Sequence, residues 1–280
     1  MIANARMYSV APAVGESWRQ LFAAIGASAG VPLTWLEHHA PEPISELWAR
    51  DDLGAVFMCG LPYSRAKPRP ALVAAPVPSD PAFQNQPEYW SELVVRADSG
   101  FEVIEDTFGA RIALTTLDSQ SGCLAVLYFL MSTGRPGALY REVVAPQITP
   151  SGAVRAVIDG RAEVAPIDSF AFSLLRRYSP ELTSQLRIIG QTARTAIPPV
   201  IASHPVPASL ESAFLEAHKN GSMASLMADL QLQRFARPDP AGYDLLQRRF
   251  EAAIAFWQQH PFAAAVHPAF AELATGPLAH

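Results

Sequence analysis

Cysteine is nearly absent from this chain: two occur in 280 residues, Cys59 and Cys123, far apart and without the close spacing of a metal site. That arithmetic excludes a disulfide framework and a structural zinc site, and leaves two small buried thiols as the expectation. Charge is scarce as well, at 17% of residues, and no run of five or more Lys or Arg occurs in a chain of formal net charge -5. The electrostatic footprint of a nucleic-acid binder is therefore missing. Long apolar runs are lacking too: Cys123–Met131 is among the longest, far short of the roughly 20 residues that span a bilayer, so no direct membrane insertion is expected. The opening Met1-Ile2-Ala3-Asn4-Ala5-Arg6 lacks the charged and then apolar plan of a secretory signal. Either a cytoplasmic protein or a chain that begins after its signal fits that start.

Catalytic signatures are also missing. There is no G-x-S-x-G elbow, no H-E-x-x-H and no G-x-x-x-x-G-K-[ST] loop. His38 and His39 are adjacent, so on a strand they face opposite ways and cannot share a metal. His204, His218, His260, His267 and His280 are scattered. No enzyme and no cofactor is expected; a nucleophilic Cys59 or Cys123 brought to a histidine by folding is the one catalytic reading left open.

Apolar residues are what the chain has in quantity, at 50%, and its length reaches the point where one hydrophobic core usually stops growing. Two compact lobes are the natural expectation. Met7–Val10 reads as a strand, and Trp18, Leu21, Phe22 and Ile25 then recur at helical spacing, with Gly26 and Gly30 near the end. Leu33–Glu37 reads as a strand, Ile44, Leu47 and Trp48 as a short helix, and Ala55–Cys59 as a buried strand ending in Gly60-Leu61-Pro62-Tyr63. A proline-rich extended segment over residues 67–87 contains a strand at Leu72–Ala75, and Leu93–Arg96 follows as another. The βα alternation then restarts with strands at Ile112–Thr115, Val164–Ile167 and Leu186–Gly190. Helices are expected at Leu124–Met131, Ala153–Ile158 and Phe170–Tyr178. Ala196-Ile197-Pro198-Pro199-Val200-Ile201 reads as a crossing between lobes, and the segments Leu210–His218, Met223–Leu232 and Tyr243–His260 are helical by periodicity.

Four local patterns lie in order between Tyr89 and Ser203. These are Tyr89-Trp90-Ser91-Glu92-Leu93-Val94-Val95-Arg96, Asp106-Thr107-Phe108-Gly109-Ala110-Arg111, Ser119-Gln120-Ser121-Gly122, and Gly160–Asp168, followed by the Thr192–Val200 return. In sequence and spacing this stretch resembles the phosphonate-type substrate-binding proteins of ABC transporters, within the type II periplasmic-binding-protein fold. The resemblance implies an α/β, two-lobed fold with a hinge of two crossing segments, lobe 1 being residues 1–90 and 200–280 and lobe 2 residues 91–199. It also implies a small-molecule ligand, an ABC permease as partner and a periplasmic location. The family often has a histidine before the helix that begins here near Ser151, whereas this chain has Thr149-Pro150-Ser151.

Read by its own chemistry, Ser119-Gln120-Ser121-Gly122 follows a strand and opens an apolar helix, where first-turn N–H groups and serine hydroxyls suit an anion. An ordinary N-cap is the alternative. Asp168, at a strand's carboxyl end, accepts a hydrogen bond either from a ligand or from the helix it caps. Cys59 and Gly60 end the corresponding strand of the first lobe, with Tyr63 as an aromatic wall or as packing. Tyr89 and Trp90, at the first crossing, either stack on ligand or cover the hinge. The expected function is capture of a small, anionic, phosphonate-, phosphate- or sulfonate-like solute in an interlobe cleft for ABC-type transport. A ligand sensor and a small-molecule enzyme on the same fold are the alternatives.

Overall fold

The structure, a computed structural model, describes residues 1–133, 138–260 and 262–265, so His267 and His280 lie outside the described residues. In chain order the first strands are β1 (Ile2–Asn4), β2 (Thr34–Trp35), β3 (Leu53–Phe57), β4 (Ala71–Pro78), β5 (Glu88–Tyr89), β6 (Ser91–Arg96) and β7 (Arg111–Ala113). They continue with β8 (Tyr140–Val144), β9 (Val164–Asp168), β10 (Leu186–Gln191), β11 (Thr195–Ala196), β12 (Val200–Ala202), β13 (Leu232–Ala236) and β14 (Ala263–Ala265). The chain divides into two compact units: residues 1–89 with 195–244, and residues 90–194 with 245 onward.

The first unit holds a mixed sheet in the order β13-β4-β12-β3-β1-β2. β1 runs parallel to both β2 and β3, and β12 lies antiparallel to β3 and β4. Helix Pro12–Ala29 supplies the apolar face expected of it, burying Trp18, Leu21, Phe22 and Ile25. Trp18 meets Phe57 of β3 edge-on at 4.9 Å, and Phe22 meets Phe214 at 5.6 Å. Each such fully buried side chain contributes about 1.5 to 3 kcal/mol, so this aromatic cluster locks the helix to the sheet.

The second unit holds a sheet in the order β10-β6-β9-β7-β8-β14. β7 runs parallel to β8 and β9, while β6 is antiparallel to β9 and β10. Every residue of β9 is buried, as is all of β6 except Arg96, which fits strands covered on both faces.

Several expectations are corrected by these elements. The first strand is Ile2–Asn4, and Arg6–Tyr8 forms a 3-10 turn in place of a strand at Met7–Val10. Asn4 explains the difference: its amide donates to Leu36 O at 2.9 Å and its Oδ1 accepts the Arg6 N–H at 2.8 Å, so a polar residue belongs inside the strand and bends the chain after it. The single helix expected over Met223–Leu232 is a short helix, Ala224–Asp229, that gives way to β13 after Gln231 at φ 51°. Lobe 1 was expected to run through residue 280, but the chain from residue 245 onward belongs to the second unit. There β14 pairs in parallel with β8, and Trp257 Nε1 donates to Leu127 O at 3.0 Å. A third passage between units therefore occurs within helix Pro240–Gln259, beside those near residues 89 and 194.

Among the described residues no helix is long and apolar enough to cross a membrane, and no cluster of His, Cys, Asp or Glu is arranged to hold a metal ion.

Candidate ligand-binding site

Because β7, β8 and β9 are parallel, their carboxyl ends share one edge of the second unit's sheet, the edge where open α/β sheets place ligands. The antiparallel β6 begins there, with Ser91 opposite Asp168. Three helical segments start at this edge: Gln120–Leu124, Pro150–Ile158 and Ser169–Tyr178.

The turn after β7 is built by close approach. A Cβ on Gly122 would lie 1.8 Å from Thr115 Oγ1, so only glycine lets the turn fold back on the strand end. Thr115 N donates to Gly122 O at 3.3 Å, and Leu124 N reaches five residues back to Ser119 O at 3.0 Å, giving a wide first turn that runs into helix Ala125–Leu130. Ser91 Oγ donates to Ser121 O at 2.7 Å, while Ser91 N donates to Thr192 Oγ1 at 2.9 Å. Strand β6, the turn and the Thr192 return are thus tied into one hydrogen-bonded unit.

Within this turn the two serines part company. Ser119 caps the helix, its Oγ accepting the Gly122 N–H at 3.0 Å. Of the first-turn N–H groups, that of Gly122 is thus engaged by the cap. Ser121, 9% exposed, makes no hydrogen bond through its hydroxyl among the described residues. Gln120 is buried and lines a cavity of about 200 Å³ with Leu124, Tyr128, Thr192 and Arg249, whose guanidinium lies 5.3 Å from the Tyr128 ring centroid.

Asp168 takes the capping role: Oδ1 accepts the N–H groups of Phe170 and Ala171, both at 2.9 Å. Trp90 is buried; its indole N–H donates to Glu92 Oε1 at 2.8 Å and the Arg194 guanidinium lies over its ring at 4.5 Å. Burial pushes the Glu92 carboxyl above the usual range, partly offset by hydrogen bonds from Trp90 and Gln191.

In the first unit Cys59 ends the segment after β3 and stands immediately before helix Gly60–Arg65, both Cys59 and Gly60 being buried. Tyr63 packs on Tyr243 at 5.0 Å with Arg69 over its ring at 5.5 Å, and Tyr89 is 1% exposed in the β5–β11 pair. Both tyrosines carry packing contacts. Cys123 is wholly buried and burial pushes its thiol strongly upward, the opposite of an activated nucleophile.

Sequence reasoning placed Thr149-Pro150-Ser151 before a helix but missed strand β8 ahead of it and the cap that Thr149 makes. Thr149 Oγ1 accepts the Gly152 N–H at 3.0 Å, and a Cβ on Gly152 would lie 2.2 Å from Gln147 O. The run Thr149-Pro150-Ser151-Gly152 carries the capping signal, a threonine followed by proline at the first helical position, but it gains meaning only once β8 is recognised before it.

A profile of the family described as "ABC transporter, phosphonate, periplasmic substrate-binding protein" matches residues 10–243. No curated protein matches the sequence. Among solved structures, the chain is similar to a binding-protein component of an ABC phosphonate transporter from Pseudomonas aeruginosa: TM-score 0.71, 18% identity, covering 91% of this chain and 88% of that one. It is similar also to PhnD1 of Prochlorococcus marinus, solved with methylphosphonate, at TM-score 0.75 and 16% identity over 90% of this chain and 97% of that one. A Xanthomonas citri protein solved with ATP aligns at TM-score 0.60 and 15% identity over 93% and 99% of the two chains. At such identities the structural likeness speaks to the fold, which is the type II periplasmic-binding-protein fold of two α/β units with mixed sheets. The profile covers most of the chain, and the chain accordingly belongs to the family of phosphonate ABC-transporter periplasmic substrate-binding proteins.

Proposed function

We propose that this chain captures a small oxyanion, of the phosphonate, phosphate or sulfonate class, at the carboxyl edge of the second unit's sheet, and delivers it to an ABC permease without transforming it. The observation that carries the reading is the turn from Ser119 to Gly122. Its backbone is fixed by Thr115, Ser91 and the Ser119 cap, yet the Ser121 hydroxyl makes no hydrogen bond among the described residues. A donor held in place and left unused, next to the positive end of a helix, is a preorganised contact for an anion. Thr149-Pro150-Ser151 stands before the helix where the family often has a histidine, so the ligand class is not confined to phosphonates. The methylphosphonate bound by the Prochlorococcus marinus relative supports the charge and size of the ligand. Of the two thiols the enzymatic alternative could use, Cys59 and Cys123, the burial of Cys123 pushes its thiol upward and argues against it as a nucleophile.

A ligand that binds only the folded chain raises stability by mass action, by about 2.7 kcal/mol at a hundredfold excess over its Kd. Melting the protein with phosphate, methylphosphonate, sulfonates and carboxylates should single out one of them by a rise in Tm. A panel without any shift, or a compound chemically altered on incubation, would contradict the capture reading.

A further inference from the structure

Arg6 follows β1 at the carboxyl edge of the first unit's sheet, where the parallel strands β1, β2 and β3 all end. Its backbone is fixed: the Arg6 N–H donates to Asn4 Oδ1 at 2.8 Å, and Asn4 is anchored to Leu36 O at 2.9 Å. The side chain is half-buried, and its Nη1 is buried without a hydrogen-bond partner. No carboxylate among the described residues forms an ion pair with it, in contrast to Arg19, Arg50, Arg96 and Arg111, which hold Glu16, Asp52, Asp98 and Glu163. Glu42 is the acidic group that acts on it from the loop after β2, and the Glu42 carboxylate is itself engaged by His38 Nδ1 at 3.0 Å. Burial accordingly pulls the guanidinium below its ordinary value, and Glu42 offsets this only in part.

A guanidinium that is partly desolvated and left without a counter-ion costs folding stability, and the cost is removed when an anion arrives. Its planar fork fits the two oxygens of a carboxylate or phosphoryl group. We infer that Arg6 is an anion-anchoring residue of the first unit, taking an oxyanion at the carboxyl edge of β1 and β3. The inference deepens the capture reading and rests on it for the chemical class of the ligand. Nothing in the sequence pattern pointed to Arg6, because the strand before it is only three residues long.

The test uses the full chain and its Arg6→Met, Arg6→Lys and Ser121→Ala variants, titrated calorimetrically with inorganic phosphate, methylphosphonate and acetate. Arg6→Met should weaken the tightest probe by about 10- to 150-fold, the range of one or more hydrogen bonds to a charged group. Arg6→Lys should recover part of that loss, since it restores the charge but not the fork. Without ligand, Arg6→Met should melt at or above the temperature of the unaltered protein, which separates a lost anchor from a damaged fold. Unchanged affinity in Arg6→Met, with loss in Ser121→Ala, would overturn the Arg6 inference and leave the capture reading standing. Loss in Arg6→Met with unchanged affinity in Ser121→Ala would uphold Arg6 and overturn the reading that the second-unit turn binds the oxyanion. Failure of the unaltered chain to bind any probe would overturn both.

Discussion

Ser119 and Ser121 stand two residues apart in one turn, yet only Ser119 spends its oxygen on the helix, accepting the Gly122 N–H at 3.0 Å. Removing that cap should cost about 1 kcal/mol of stability, whereas Ser121→Ala removes no intramolecular hydrogen bond. Ser121→Ala should therefore leave the denaturation midpoint nearly unchanged while weakening the bound oxyanion by about 10- to 150-fold, as read by calorimetry. Ser119→Ala should do the reverse in emphasis: a clear loss of stability and a smaller loss of affinity. If Ser121→Ala lowers stability and spares affinity, the turn is a plain helix start. At this scale the sequence exposes residue types but not their hydrogen bonds. The pair of serines was legible as a cap or an anion site, and of the two only Ser119 takes the cap. Asp168 was open in the same way between cap and ligand contact, and its Oδ1 is engaged by Phe170 N and Ala171 N. Arg6 was invisible, because an unpaired guanidinium is a fact about neighbours far away in the chain.

At the scale of elements, the turn depends on Gly122 lying against Thr115, two residues seven positions apart whose contact leaves no room for a Cβ. Gly122→Ala forces Thr115 or the turn to move, an overpacking that should cost about 1 to 3 kcal/mol in chemical denaturation. Thr115→Ala in the same chain removes Oγ1, the atom nearest the new Cβ, together with Cγ2, and should restore part of the loss. A Gly122→Ala protein as stable as the original would show that the turn is not held as described. The long amphipathic helices and the buried strands β3, β6 and β9 were legible because periodicity and apolar runs report burial directly. β8 and β13 were not. Tyr140–Val144 interposes Arg141 and Glu142 in its pattern, and Leu232–Ala236 follows a helix without a Gly or Pro to mark the break. Without β8, Thr149-Pro150-Ser151 could be placed before a helix but not at the end of a strand.

For the whole molecule, a division into two α/β units was legible from length and from the restart of the βα alternation, with crossings expected near Tyr89–Arg96 and Ala196–Ile201, whereas the two compact units divide at residues 89/90 and 194/195. The C-terminal assignment was not legible: a helix pattern from Tyr243 to His260 does not disclose which sheet it serves. The pairing of β14 with β8 and the hydrogen bond from Trp257 to Leu127 O are long-range facts. Membership of the substrate-binding family and the fold now frame the capture reading, and its central claim is that the chain binds one small oxyanion reversibly and unchanged. Calorimetric titration of the full chain with methylphosphonate, phosphate, sulfonates and carboxylates tests this most directly. One of them should bind saturably at one molecule per chain and be recovered intact afterwards. Absence of binding across the panel, or heat that persists with turnover of the added compound, would contradict it.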